Sequence, residues 1–489
     1  MTNQTAVNGG NGAKPHFVLV PFLEQGHIIP MVDMAHVLAG RGAHVSFLTT
    51  RLNALRIKLI IERAEESRLP IEFVALCFPC AEVGLPEGTE NADALPSYDH
   101  LDTFLRACAM LREPLTSHLR RHHLPPSCVI SDAFYTWTGD MARELGVPRL
   151  VFNGYGCFTL LARYILHREN VYEQGIDESQ MLDLPGFPHR LQISKAQVPG
   201  NFMGPRLQRF RCEVMEEESR ADGVVVNTFD DIEAPYVESY QKAMGKRVWT
   251  IGPLLRLCGG DATHMAARGN KAAIDGNECI RWLDSMKPSS VIYVSFGSLV
   301  SSTLQQIIEI GMGLETWGRP FIWVIRPGKQ AAEVERWLSE EFEEMVRSRG
   351  LVIRGWAPQM VILSHPAVGG FVTHCGWNSI LEGMSAGLPM VTWPNFGDQF
   401  LNQKLVVQVL RIGVAVGAEN SDVLVKREEV EKAVSELMGG GEEGEARRKR
   451  SRELKDSAKR AAERGGSSHD NIGMLIQQIQ GSSIDGCAM

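Results

Sequence analysis

The sequence predicts an α/β chain built as two Rossmann-like, doubly wound parallel-sheet domains facing each other across a cleft. Short runs rich in β-branched residues recur along the chain, with room for a helix between successive runs. These runs are continuously apolar rather than alternating, which marks strands covered on both faces, as in a parallel sheet. The pattern stops over one turn-rich stretch and then starts again, giving two similar halves.

In the first half, residues 17–22 give the first strand and residues 31–39 the helix that follows a short loop. Further strands are predicted at 45–48, 71–76, 128–130, 149–152 and 223–227. Residues 251–277 carry Gly252-Pro253, Gly259-Gly260 and Gly269-Asn270 and little apolar sequence, the composition of an interdomain connection. The second half has strands at 291–296, 321–325, 351–353, 370–373 and 390–393. The domains are accordingly placed at 14–252 and 278–465, with a linker at 253–277. Residues 1–13, polar and rich in Gly and Asn, are predicted disordered, and 466–489 a C-terminal helix returning to the first domain, then a tail.

Composition excludes several classes. With 44% hydrophobic residues and a net charge of -8, the 489-residue chain is not disordered in bulk, and ten Cys are too sparse for a disulfide-held scaffold. The 50 basic residues are outnumbered by 58 acidic ones, and the basic cluster at 447–450 has acidic neighbours, so no nucleic-acid partner is expected. No window reaches the ~18 apolar residues of a membrane helix, and the N-terminus has no basic-then-apolar signal. A cytoplasmic protein with reduced thiols is predicted. Cys77 and Cys80 have CxxC spacing without a second pair, which fits free thiols better than a metal site.

Ligands in doubly wound sheets bind beyond the carboxyl ends of the strands. After 291–296 come Gly297 and Ser298, where a close backbone approach and a hydroxyl near a helix start suit a phosphate oxygen, although such a pair alone is usually just a turn. After 351–353 comes Gly355-Trp356-Ala357-Pro358-Gln359, whose indole is either a local core anchor or a flat platform for a nucleobase, with Gln359 at its polar edge. After 370–373, His374-Cys375-Gly376-Trp377-Asn378-Ser379 runs into a helix whose N–H groups and dipole favour phosphate. Ser379 and Glu382 also have capping-box spacing, in which case both serve only the helix. After 390–393, Asp398 and Gln399 offer a carboxylate and a carboxamide to sugar hydroxyls; such a pair in a loop is usually solvated surface, but here it follows the fourth such strand of one domain.

Together, Trp356-Ala357-Pro358-Gln359, His365, Gly370, the run from Thr373 to Ser379, Glu382, Gly387, Pro389, Trp393-Pro394 and Asp398-Gln399 resemble a known signature. It is the 44-residue box of plant UDP-dependent glycosyltransferases acting on small molecules, matched here from Trp356 to Gln399, with Asn402 beyond it. The likeness extends through residues 17–30, Gly252-Pro253, Trp282-Leu283, 294–298 and 465–471. The resemblance implies the GT-B architecture, with the acceptor held by the first domain and the UDP-sugar by the second. It implies that Trp356 stacks on uracil, and that Gln359 and Glu382, with Ala357 in the same UDP-binding set, hold the uridine. It assigns the diphosphate to Ser298, His374, Asn378 and Ser379, and the sugar to Trp377, Asp398 and Gln399. Gln399 resembles the last box residue of glucose-preferring members, so UDP-glucose is the expected co-substrate, with a different UDP-sugar as the alternative, and with no cofactor and no metal.

The candidate base is His27, in Glu24-Gln25-Gly26-His27-Ile28-Ile29-Pro30, after the first strand and before the first helix. A helix N-terminus favours neutral imidazole, the form that accepts a proton. Such a histidine alone is more often structural or solvated; the resemblance places the family's catalytic histidine in this motif and reverses that reading. Asp132 follows the strand 128–130 on the same side of the sheet and matches the family's second catalytic residue, with an N-cap as its other reading. Asp99 and Asp140 do not follow a strand. His27 is expected to take the acceptor proton while Asp132 fixes the ring. Attack opposite UDP then inverts the anomeric centre, so UDP-α-glucose gives a β-O-glucoside. The diphosphate leaves onto Ser298, His374, Ser379 and helix amides, and the chain has no Asp-x-Asp metal motif.

Glu24 stands where relatives carry a small apolar residue; it is expected to point to solvent, with acceptor contact or an effect on His27 as the other readings. The acceptor walls are expected from loops 83–95, 134–137, 155–158 and 184–204, with Phe134, Tyr155, Phe158 and Phe202 as contacts alongside Glu24. A lipophilic flavonoid or phenolic acceptor is expected first and a terpenoid or steroid second, on a monomeric enzyme. A Rossmann oxidoreductase would need Gly-x-Gly-x-x-Gly, yet only Gly26 occurs in residues 21–30. A non-catalytic sugar-nucleotide sensor would have no use for His27 and Asp132.

Overall fold

The computed structural model describes residues 14–171, 175, 177–200, 207–258, 265, 268–270, 272–297, 303–326, 328, 330–418, 420 and 423–485. The N-terminal segment predicted disordered, and the site candidates Ser298 and Phe202, lie outside the described residues.

The first half forms β1 (His16–Val20), β2 (His44–Thr50), β3 (Ile71–Leu76), β4 (Cys128–Asp132), β5 (Arg149–Asn153), β6 (Met181–Asp183), β7 (Gln192–Ser194), β8 (Gly223–Val226) and β9 (Val248–Thr250). Seven of these pair in parallel in the order β3-β2-β1-β4-β5-β8-β9, while β6 and β7 form a separate antiparallel hairpin. The second half forms β10 (Val291–Ser295), β11 (Phe321–Ile325), β12 (Gly350–Arg354), β13 (Val368–Thr373), β14 (Met390–Thr392) and β15 (Gly413–Ala415). They pair in parallel in the order β12-β11-β10-β13-β14-β15. Every residue of β1, β4, β5, β10 and β11 is buried, as strands covered by helices on both faces must be. The three-residue strands β6, β7, β9 and β15 are additions to the predicted set, each too short to show a pattern.

Each sheet reverses its strand order at one place, between β1 and β4 in the first and between β10 and β13 in the second. A crevice opens at such a switch point because the flanking connections leave to opposite sides. The loop after β1 and the end of β4 share the first crevice; the turns after β10 and β13 share the second.

The helix after β1 starts earlier than predicted, at Gln25, and runs to Gly40 with Pro30 inside it. Glu24 is its N-cap, in extended conformation, and accepts from the Gly26 N–H at 2.8 Å. Having no N–H, Pro30 brings no donor to the carbonyl of Gly26 four residues back.

The halves are joined by a common core: Leu161 and Tyr240 of the first belong to the same buried cluster as Ile380 and Leu401 of the second. Leu254 is buried in the core of the first sheet with Phe17 and Leu19, and so are Ile472, Leu475 and Ile479 of the C-terminal helix Ser467–Asp485. Asn471 anchors that helix by donating to the Thr250 carbonyl at 3.0 Å. Among the described residues, no helix is long and apolar enough to cross a membrane.

Candidate active site

His27 lies in the first turn of the helix after β1, and Asp132 is the last residue of β4, the strand beside β1. The strand register brings them together: His27 Nδ1 is 2.6 Å from Asp132 Oδ2. The other carboxylate oxygen accepts from the Phe134 N–H at 2.9 Å, so the aspartate cannot rotate without losing a bond. Leu23 N–H donates to the Tyr135 hydroxyl at 3.1 Å, tying the loop before the helix to the segment after β4. Phe22 meets the imidazole edge-on at 5.3 Å and Phe134 lies tilted to it at 5.7 Å, leaving Nε2 as the nitrogen not spent on Asp132.

The electrostatics of His27 differ from the expectation. Burial favours neutral imidazole, as does a helix N-terminus. The Asp132 carboxylate, reinforced by Glu24 and Asp398, outweighs burial and raises the pKa to about 9. The carboxylates thus favour the imidazolium form, and a proton held on His27 has to leave before the ring can act as a base.

Glu24 does not point to solvent. It is 4% exposed, because capping the helix turns its carboxylate inward to Gly26 N–H and within 3.9 Å of His27 Nε2.

On the opposite wall, the expected nucleotide groups gather at the ends of β10, β12 and β13. Trp356 is half-buried, its carbonyl accepting from Ala273 N–H at 2.8 Å, with Ala357 and Gln359 following it. Gly269 packs against the indole so closely that a Cβ there would lie 2.1 Å from Cζ2. Gln359 Nε2 donates to Glu382 Oε2 at 2.7 Å and to Ser379 Oγ at 3.3 Å. The helix carrying Ser379 begins at Trp377 with Gly376 as its N-cap and no side-chain cap bond, which disposes of the capping-box reading. Glu382 is also bonded at 2.5 Å to Arg268, whose other arm reaches Asp33 at 2.8 Å. Arg268 thus links the helix that carries His27 to the helix that carries Ser379. It lies in the stretch predicted to be only a linker, and no local sequence pattern marks it.

His374 is wedged between Gly297 and Gly376, where added Cβ atoms would come within 2.5 and 2.4 Å of its ring. Burial lowers its pKa to about 4, so it is neutral, and its Nδ1 has no partner. Asn378 Nδ2 donates across the cleft to the Gly26 carbonyl at 2.5 Å. Trp377 is 3% exposed, and its indole N–H donates to the Asn227 carbonyl at 2.9 Å. Asp398 accepts from Asn402 at 2.5 Å, and burial raises its pKa to about 6 against that bond and the nearby His27. Gln399 Oε1 accepts from the N–H groups of Asn395 and Phe396 at 2.8 and 3.1 Å, leaving its amide N–H groups for another partner.

One cavity of about 260 Å³ is lined by residues of both walls, among them His27, Trp356, Gln359, His374 and Asp398. Phe134 and Tyr155 line it as expected of acceptor contacts, together with Phe22, Leu105 and Phe210. Phe158 does not. It is fully buried on the core side of the helix Cys157–Arg168, packed edge-on against Phe187 at 5.0 Å and Tyr236 at 4.9 Å.

Known proteins resemble the chain over nearly its full length. A family model described as "Glycosyltransferase, N-terminal domain" matches residues 16–256, and one described as "UDP-glucoronosyl and UDP-glucosyl transferase" matches residues 263–450. The chain is 46% identical over 477 residues to UDP-glycosyltransferase 73C3 of Arabidopsis thaliana, covering 95% of this chain and 96% of the relative. Identity is 45% to UDP-glycosyltransferase 73E1 of Stevia rebaudiana, with the same coverage. The crystal structure of Glycyrrhiza uralensis UGT73P12 complexed with glycyrrhetinic acid 3-O-monoglucuronide matches at a TM-score of 0.89 and 35% identity, over 97% of both chains. That of Arabidopsis thaliana UGT89C1 complexed with UDP-L-rhamnose matches at 0.76 and 28%, over 96% of this chain and 100% of the other. Similarity of this extent in sequence, in fold and over both halves places the chain in the plant UDP-glycosyltransferase family, as a GT-B glycosyltransferase of small molecules.

Proposed function

We propose that the enzyme transfers glucose from UDP-glucose to a hydroxyl of a lipophilic plant small molecule, with inversion and without a metal, giving a β-O-glucoside. The observation that carries this reading is the 2.6 Å contact between His27 and Asp132 on the wall of a cavity that also holds Trp356 and Asp398. In its neutral form His27 donates from Nδ1 to Asp132 and presents the Nε2 lone pair to the acceptor hydroxyl. As Nε2 takes the proton, the acceptor oxygen bonds to the anomeric carbon and the bond to UDP breaks, its electron pair leaving on the diphosphate. Asp132 stabilises the imidazolium so formed. His374, Ser379 and the amides following Gly376 receive the diphosphate, Trp356 the uracil, Gln359 and Glu382 the ribose, and Asp398 and Gln399 the glucose.

The acceptor end of the cavity, with Phe22, Leu105, Phe134, Tyr155 and Phe210, suits a flat or polycyclic aglycone, and a phenol is the first candidate. A triterpenoid or steroid is the second, favoured by the high structural similarity to the Glycyrrhiza enzyme bound to a triterpenoid glucuronide. Incubation with UDP-glucose and a mixed panel of phenolic, terpenoid and steroidal alcohols, read by mass spectrometry, should give a hexose adduct with anomeric configuration β. Tight UDP binding with no transfer to any acceptor would instead favour a sensor.

A further inference from the structure

In the second sheet β11 lies between β10 and β12, so Arg326, the residue after β11, stands between the Gly297 turn and the Trp356 loop. It lines the same cavity as both. Its Nη1 is buried without a hydrogen-bond partner, and among the described residues it forms no ion pair. The other guanidinium on the cavity wall, Arg268, is different, being neutralised by Asp33 and Glu382. Arg326 as a whole is only partly buried, but a guanidinium nitrogen shut away from water without an acceptor is costly until something completes it.

The subsite beside it lacks the opposite thing. The described groups expected to receive a diphosphate carry no positive charge: His374 is neutral, Asn378 is an amide and Ser379 a hydroxyl. A chain of net charge -8 supplies no attractive overall field for an anion either.

We propose that Arg326 binds the diphosphate of the donor nucleotide and supplies the positive charge of that subsite, an inference that rests on the donor reading above. His374 packs against the Gly297 turn and lines the same cavity as Arg326, so a diphosphate received at His374 faces the space that Arg326 also lines. The planar fork matches phosphate oxygens and forms charge-assisted bonds with them.

The test compares dissociation constants of UDP and uridine for the full-length wild type, Arg326→Gln and Arg326→Lys. Arg326→Gln should weaken UDP by about tenfold or more, leave uridine within about twofold, and flatten the salt dependence of UDP binding. Arg326→Lys, which keeps the charge but loses the fork, should fall between. If Arg326→Gln does not fold, Arg326→Lys still serves, with UDP weakened several-fold at unchanged uridine affinity as the expected result. Equal losses for UDP and uridine would make Arg326 a support of the platform and overturn the proposal, as would unchanged UDP affinity. A wild-type protein that binds neither ligand would overturn the donor reading itself.

Discussion

The Gly26 carbonyl, to which Pro30 brings no N–H, accepts the side-chain amide of Asn378 at 2.5 Å from the other side of the cleft. A helix-breaking residue inside the helix Gln25–Gly40 thereby becomes the reason the two halves can be bonded at the site. Asn378→Ala should cost about 1 kcal/mol of stability. Asn378→Asp should cost more, because a carboxylate would face a carbonyl oxygen. Urea midpoints measured without nucleotide check both; an aspartate variant as stable as wild type would contradict the bond.

His27 sets the pH dependence. Burial would lower its pKa, but Asp132, Glu24 and Asp398 raise it to about 9, which favours the protonated base in the free enzyme. For an aliphatic alcohol acceptor, kcat/KM should rise about tenfold per pH unit up to that value. Asp132→Asn should move the rising limb down towards the ordinary histidine range while lowering the maximum rate, since the ring loses its orienting partner. The sign for stability follows from the same shift. A histidine whose folded pKa exceeds its unfolded value stabilises fully below the unfolded pKa, and this is lost as pH rises through about 9. A profile flat from neutrality to pH 9 would sink the assignment.

Arg268 holds two buried carboxylates, Asp33 of the first half and Glu382 of the second. Arg268→Met would leave both without their counter-charge, at a cost of roughly 3–5 kcal/mol. Chemical denaturation with and without UDP is the check, and a loss under about 1 kcal/mol would mean that the bridge is solvated.

Gly269 sits at φ +89° with the Trp356 indole where its Cβ would be. Gly269→Ala should displace the ring and weaken uridine binding by roughly tenfold, the scale of one lost base–aromatic stack. Calorimetric titration with uridine measures this, and unchanged affinity would show that uracil does not lie on Trp356.

The two sheets are legible in the sequence because strands buried on both faces read as unbroken apolar runs, as in β10 and β11. Asp132 ends β4 beside the switch point, a position that makes a residue worth weighing, whereas His27, in the first helical turn after β1, reads as an ordinary histidine until the family motif singles it out. Glu24 is misjudged because a charge in a loop suggests solvent. Placing the helix start at residue 31 instead of Gln25 hides that Glu24 is its cap. Phe158 is misjudged because composition does not tell which side of a helix faces a cavity. Arg268 is missed because its partner Asp33 is 235 positions away and no spacing rule reaches that far. Arg326 follows a correctly placed strand, β11, and its significance depends on what the neighbouring strands carry.

The most direct test of the account is turnover of His27→Ala on an aliphatic alcohol acceptor, with UDP binding measured on the same preparation. Such an alcohol hardly ionises without help, so the base cannot be bypassed as it can with a phenol. A loss of about 100-fold or more in kcat is expected, with UDP affinity near that of wild type. Turnover near wild type, with the product still a β-glucoside, would contradict it.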